Sequence, residues 1–220
     1  MLCGLIPWNA TQFCSLIGNR TILMIGDSTM VQTAGALTSC ITTDLPRNTG
    51  CAHHIAVGTI DLFASHSSMN YVYVVNPDVL VFNTGAHCMT MKCFRTEIEQ
   101  FDILHREIVS HYAKQNKSVT MLWKTMNPGH VNCSKESGGP LTDSWNHDYS
   151  TEDLYNWHIF PEQDNFARHH MVDHLGMKII DMSPLYYRQD AHSDCLHYCL
   201  PGPVDLFGVL LLNMLHTGEI

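Results

Sequence analysis

Two short segments near opposite ends of the chain contain the residue types of serine-dependent acyl chemistry. Gly26-Asp27-Ser28 follows the apolar run 21–25, and Asp194 stands three residues before His197. A serine hydroxyl attacks an acyl carbon when a histidine takes its proton and a carboxylate orients that histidine. These residues therefore predict Ser28 as nucleophile, His197 as base and Asp194 as the orienting acid. The alternative is a helix cap at Ser28 and a polar surface loop at 194–197.

The segments between them predict an open, parallel α/β sheet that would position this chemistry. Apolar runs predict buried strands at 21–25, 79–82, 119–123 and 177–181. Helical composition or spacing predicts helices at 29–41, 94–113, 165–175 and 203–215. The run 71–75 precedes a turn signal at Asn76-Pro77-Asp78, and the polar stretch 131–155 predicts a long loop. Ligands of such sheets bind at the carboxyl ends of the strands, where Ser28 and Asn83 fall.

The composition predicts one folded domain. The chain has 220 residues, of which 45% are hydrophobic and 15% charged, a balance that excludes a disordered chain. Its net charge of −9 argues against a nucleic-acid partner, because phosphate binding needs clustered lysine and arginine. No apolar run approaches the roughly 20 residues of a membrane span, and residues 1–14 do not resemble a signal peptide. We expect a single catalytic domain over 1–220, with any membrane anchor in flanking sequence.

Cysteines and glycosylation sequons favour an oxidising, secretory compartment. There are nine cysteines, and an odd number leaves at least one outside the chain's own disulfides. Sequons begin at Asn9, Asn19, Asn116 and Asn132. We expect most cysteines to form disulfides, including at least one of Cys195 and Cys199.

Three segments, in this order, resemble the PC-esterase family, the trichome-birefringence-like branch of the SGNH (GDSL) esterase superfamily. They are GDSTMVQTA, DVLVFNTG and DCLHYCLPGPVDLF. WKTMNPGH at 123–130 is similar to a further segment of that family, and the likeness spans roughly residues 22–212. The resemblance implies a three-layer α/β/α sandwich with a parallel central sheet and the triad Ser28, His197 and Asp194.

The same resemblance implies an oxyanion hole with three donors. In the superfamily these are the N–H of the nucleophile, a glycine N–H and an asparagine side chain. Here they correspond to Ser28, Gly58 and Asn83, with Gly50 as the alternative glycine. Asn83 also has a purely structural interpretation, in which it closes the turn after its strand.

The resemblance implies acetyl transfer to polysaccharide hydroxyls, or acetyl removal, and the plant members act in the Golgi. We expect a polysaccharide O-acetyltransferase with an acetyl donor as co-substrate, a glycan as acceptor and no bound cofactor. The alternatives are an acetylesterase with the same triad and a non-catalytic carbohydrate-binding domain. The expected location is the Golgi lumen or the cell exterior. Residues 86–87 are Ala-His where plant members usually have His-Trp-Trp, so the substrate itself does not carry over.

Side chains around the predicted triad are candidates for substrate contact. His130 lies in the family-like segment after a strand, and a structural role is equally open to it. Trp145, with Trp157 beyond it, could line an open groove for sugar rings or pack against the core. His87 is a further candidate for substrate contact. If His197 were not the base, His130 and His87 would be the first alternatives for that role.

No metal site is predicted. His170 and His174 stand four residues apart in a predicted helix, a spacing that can hold zinc. No third ligand can be named for them, and a surface helix is the simpler interpretation.

Overall fold

Five parallel strands form the centre of the molecule, in the spatial order β2-β1-β3-β4-β5. The computed structural model describes residues 4–46, 50–63, 67–129, 155–188 and 195–220. The strands are β1 (Ile22–Gly26), β2 (Ile55–Thr59), β3 (Val79–Phe82), β4 (Thr120–Lys124) and β5 (Lys178–Ile180). The helices are α1 (Ala10–Ile17), α2 (Ser28–Asp44), α3 (Ser67–Val75), α4 (Met91–Lys114), α5 (Phe160–His169) and α6 (Leu206–His216).

Helices cover both faces of this sheet. Along β1, Ile22 and Met24 face a core shared with α1, α2 and α6. Leu23 and Ile25 face the opposite core, which α3, α4 and α5 complete. All residues of β1 and β3 are buried, as expected for central strands of a parallel sheet with two covered faces. The predicted three-layer α/β/α fold is thereby confirmed.

The strongest sequence patterns gave the correct elements, and weaker ones did not. The predicted helices at 29–41 and 94–113 correspond to α2 and α4, and the four predicted strands are β1, β3, β4 and β5. The pattern gave no assignment for α1, β2 or α3. Helix α5 begins five residues earlier than predicted, and a π-helical turn at His170–His174 follows it. The predicted loop lies outside the described residues, except for Tyr155.

The disulfides agree with the expected oxidising compartment. Cys14 is bonded to Cys51 and Cys88 to Cys93. Cys195 is also disulfide-bonded, which confirms the prediction that included it. Cys40 and Cys199 are free thiols. Among the described helices, none is long and apolar enough to cross a bilayer.

Candidate active site

Ser28 lies where β1 ends and α2 begins, at the carboxyl edge of the sheet. Asp27 separates the two elements and caps the helix. Its Oδ1 accepts hydrogen bonds from the Thr29 N–H at 2.9 Å and the Thr29 hydroxyl at 2.7 Å. Ser28 itself is exposed. As the first helical residue, it has an N–H that no carbonyl of the helix can reach, at the positive end of the helix dipole.

Gly26 allows the end of β1 to approach the chain that follows β3. A Cβ atom added to Gly26 would lie 2.8 Å from the Asn83 carbonyl oxygen and 2.8 Å from the Met30 Cβ. Both distances are too short for a real side chain, so glycine is required here by packing. The glycine of Gly-Asp-Ser thus has a structural reason that is independent of the chemistry.

Asn83 connects the carboxyl ends of three neighbouring strands. It is fully buried, and its Oδ1 lies 3.2 Å from the Thr29 hydroxyl oxygen. Its Nδ2 group lies 3.4 Å from the Lys124 carbonyl oxygen and 3.1 Å from the Met126 sulfur. Both amide hydrogens therefore have acceptors. To bind an oxyanion, Asn83 would have to give up one of these two contacts. The oxyanion role of Asn83 stays a prediction, beside a structural role that these contacts support.

His197 contacts the Ser28 hydroxyl. Its Nε2 atom lies 2.8 Å from the Ser28 Oγ, within hydrogen-bond distance for proton transfer. The two residues are 169 positions apart in sequence, so only the fold brings them together. With the proton on Nδ1, the Nε2 atom accepts the hydrogen bond from the serine hydroxyl.

The neighbours of His197 fix its direction. Leu196 is fully buried in a small apolar cluster with Ala86, Met126, Trp157 and Phe160. Tyr198 is buried as well, and its hydroxyl lies 3.2 Å from the carbonyl oxygens of Pro128 and Arg188. Because two buried side chains flank His197, its ring is left to point towards Ser28.

The remaining sequence-predicted site residues have different positions. Asp194, His130 and Trp145 lie outside the described residues, so their roles stay predictions. Trp157 is fully buried in the apolar cluster beneath His197. Of its two interpretations, core packing is therefore the one that the structure supports.

Gly58 and His87 lie near the same edge of the sheet. Gly58 is in β2, opposite Ile25 of β1. A Cβ atom at Gly58 would lie 2.6 Å from the Tyr71 ring of α3, so this glycine is needed for packing whatever its N–H does. Gly50 precedes β2 and so lies towards the amino edge, away from Ser28. His87 is exposed after β3, with its Nε2 3.5 Å from the Asp61 carboxylate.

A buried charge cluster lies beneath the site and was not predicted from the sequence. Lys124 ends β4 with no exposed surface, and its ammonium donates to the Thr125 carbonyl at 2.9 Å and the Asn127 Oδ1 at 3.0 Å. Burial lowers the pKa of Lys124 to about 8, against the attraction of the Asp27 and Asp164 carboxylates. The only sequence signal was a lysine at the end of an otherwise apolar strand.

Asp164 provides the second carboxylate of this cluster from α5. It accepts hydrogen bonds from the Met126 N–H at 2.9 Å and the Tyr186 hydroxyl at 3.3 Å. Burial raises the pKa of Asp164 to about 7, although the Met126 bond and the Lys124 charge both oppose the shift. The cluster thus ties α5 to the chain that leaves β4.

The two histidines of the π-helical turn that follows α5 differ in exposure: His170 is partly buried and His174 is exposed. His170 Nε2 lies 2.7 Å from the Asp102 carboxylate of α4, and its ring stacks on Phe166. Within the described part of the chain, no group of three or more histidine, cysteine or acidic residues could hold a metal ion.

An exposed hydroxyl at a helix N-terminus, in contact with a histidine on an anchored loop, is an arrangement suited to nucleophilic attack on a carbonyl carbon. The helix supplies a free N–H beside the hydroxyl, and the histidine supplies a base. Comparison with known proteins found no match, either to a protein-family model or to a curated protein sequence.

Proposed function

We propose that this chain is a serine-dependent acyltransferase that moves acetyl groups onto polysaccharide hydroxyls in the secretory pathway, in the Golgi lumen or outside the cell. The observation that carries the proposal is the 2.8 Å contact between the Ser28 Oγ and the His197 Nε2. The glycan substrate and the location depend on the PC-esterase resemblance and the cysteine content. Asp194 is the proposed partner of His197.

The first half of the reaction forms an acyl-serine. His197 takes the Ser28 proton as the Oγ bonds to the acetyl carbon, and the carbonyl oxygen becomes an oxyanion. The Ser28 N–H stabilises that charge, because it points from the positive end of α2. When the tetrahedral intermediate collapses, the leaving group takes the proton from His197 and departs.

The second half depends on which hydroxyl reaches the acyl carbon. His197 removes the proton of a sugar hydroxyl, the new ester forms, and the proton returns to Ser28. An acetylesterase with water as acceptor is the second candidate, and the exposure of Ser28 favours it, since bulk water is present at about 55 M. A transferase must therefore hold its acceptor at a high effective concentration.

Covalent labelling of Ser28 tests the shared first half. A fluorophosphonate should modify Ser28, as mapped by peptide mass spectrometry, and Ser28→Ala should abolish the labelling. Ser110→Ala, which alters an exposed serine of α4, is the matched control and should label normally. Undiminished labelling of the Ser28→Ala protein at another residue would show that the nucleophile has been misassigned.

Product analysis separates transfer from hydrolysis. For a transferase, an acetyl donor alone should be consumed slowly, and the right oligosaccharide should speed consumption and become O-acetylated. Asp194→Asn should slow both halves by several powers of ten. If acetylated glycans are rapidly stripped and no oligosaccharide in a broad panel is acetylated, the esterase is the correct alternative.

A further inference from the structure

Gln32 lies one helical turn after Ser28 on α2. Residues four apart in an α-helix share a face, so the Gln32 side chain extends from the same side of the helix as the Ser28 hydroxyl. Gln32 is half-buried, and nothing in the acyl-transfer steps above uses it.

The Gln32 carboxamide pairs with both backbone polar groups of Tyr198. The Tyr198 N–H donates to the Gln32 Oε1 at 3.1 Å, and the Gln32 Nε2 donates to the Tyr198 carbonyl at 2.5 Å. A primary amide is the side chain that can accept and donate in one plane. The Gln32 side chain therefore binds both the N–H and the carbonyl of Tyr198, as the backbone of a neighbouring β-strand would.

We propose that Gln32 is a positioning residue that sets the height and rotation of His197 above Ser28. Tyr198 is the next residue after His197, so fixing its N–H and carbonyl fixes the peptide on which the imidazole is mounted. Because Ser28 and Gln32 belong to one helix, the nucleophile and the two-point contact move together. The inference rests on the proposed function, since it assigns the contact a part in proton transfer.

The two hydroxyl contacts of Tyr198 differ in kind from this one. Its hydroxyl contacts the carbonyls of Pro128 and Arg188, which belong to other loops. Those contacts hold the far end of the ring, whereas Gln32 links the backbone beside His197 to the helix that carries Ser28. Tyr198→Phe should accordingly keep the Gln32 contact and cost less activity than a change at Gln32.

Two substitutions divide the contact into its parts. Gln32→Met has a similar length but neither accepts nor donates, so both hydrogen bonds are lost. Gln32→Glu retains an acceptor for the Tyr198 N–H and places an anionic oxygen against the Tyr198 carbonyl. Gln115→Met is the matched control, because the exposed Gln115 contacts His111 at 2.7 Å after α4, at the amino edge of the sheet.

The measurements are kcat and KM with a small chromogenic acetate, and the rate of fluorophosphonate labelling at Ser28. A misplacement of about 1 Å can cost roughly 100-fold in rate, so kcat and labelling should fall about 10- to 100-fold in Gln32→Met. KM should change less than threefold, since a small acetate does not touch Gln32. Gln32→Glu should lose activity as well, and Gln115→Met should match the wild type. A folded Gln32→Met protein with kcat within twofold of the wild type would overturn the proposal.

Amide hydrogen exchange at Tyr198 gives a readout that needs no activity. The Tyr198 amide should exchange at least tenfold faster in Gln32→Met and remain protected in Gln32→Glu, where the acceptor is kept. If wild-type Ser28 is not labelled, the proposed function fails. Amide hydrogen exchange at Tyr198 would still test whether Gln32 holds the Tyr198 backbone. If Ser28 is labelled and Tyr198 exchanges equally in all variants, the acyl chemistry stands and the role of Gln32 is wrong.

Discussion

Lys124→Met is expected to destabilise the fold by an amount that grows above pH 7. Methionine keeps the length and the apolar stem of the side chain but removes the ammonium, which donates to the Thr125 carbonyl and the Asn127 side chain. It also removes the positive charge that attracts the Asp27 and Asp164 carboxylates.

The magnitude depends on the protonation of Asp164. Its folded pKa is about 7, whereas the ordinary value for an aspartate is 3.8, so between these pH values the folded chain holds a proton that the unfolded chain has released. Stability from this group is fully present below pH 3.8 and is lost as the pH rises through about 7. Up to pH 7 both proteins follow this slope, and the variant loses mainly its two buried donor contacts, roughly 1–3 kcal/mol.

Above pH 7 the two proteins diverge. Without the lysine charge the pKa of Asp164 rises further, so the variant continues to lose up to about 1.4 kcal/mol per pH unit. In the wild type, burial lowers the pKa of Lys124 to about 8, below the ordinary lysine value of 10.5. Its unfolded form therefore binds more protons between these values, and wild-type stability gains from this group. Near pH 9 the difference should therefore exceed its value at pH 7 by roughly 1–3 kcal/mol, because these two slopes have opposite signs.

Urea unfolding followed by tryptophan fluorescence at pH 6, 7.5 and 9 measures this difference. Lys178→Met, at an exposed lysine that begins β5, is the control and should show no comparable dependence on pH. Parallel stability curves for the wild type and Lys124→Met across this range would refute the reasoning, because they would mean that Lys124 and Asp164 do not interact.

Three further predictions concern the base, a packed glycine and the two free thiols. His197→Ala should lower kcat by roughly 10⁴-fold, and near-normal turnover would remove His197 as the base. Gly58→Ala should destabilise by about 1–3 kcal/mol through overpacking against α3. Gly35→Ala is the control, because its new Cβ would lie 3.7 Å from the nearest atom; it should be neutral or stabilising by about 0.5–1 kcal/mol. Equal urea midpoints for Gly58→Ala and Gly35→Ala would contradict the overpacking at Gly58. Iodoacetamide at pH 8 should modify the exposed Cys199 before Cys40, whose pKa is raised to about 11 by burial and then by nearby carboxylates; mass mapping that shows the reverse order would be inconsistent with this.

The sequence predicted the elements whose local hydrophobic patterns agree with the way they pack in the fold. β1 and β3 are short apolar runs without polar interruption, and α4 has apolar residues at regular helical spacing. β2 was missed because it is a half-exposed edge strand that contains a glycine. The run 71–75 is rich in valine and tyrosine, residues that favour strands, yet it forms the second half of helix α3. Packing of Tyr71 over Gly58 is a tertiary contact that no local pattern contains.

The pairing of Ser28 with His197 was predictable, but the residues that support it were not. The sequence singled out these two residues because acyl chemistry needs a hydroxyl and a base, and the structure places them 2.8 Å apart. Gln32 could not be found in this way, since its partner Tyr198 is 166 residues away. Lys124 was missed for a related reason: a buried lysine is rare, and it becomes intelligible only when carboxylates from β1 and α5 are placed around it.

The alternation of Leu196, His197 and Tyr198 makes this loop intolerant of changes in length. The two outer side chains are buried and the middle one faces Ser28, so inserting or deleting a single residue within the triplet would turn a different side chain towards the nucleophile. Leucine has no group that can take a proton, and His197 would be directed into an apolar cluster. Length variation should therefore be lethal to activity inside the triplet, whereas single insertions at exposed turns, such as the one that follows Asn116, should leave Ser28 labelling intact.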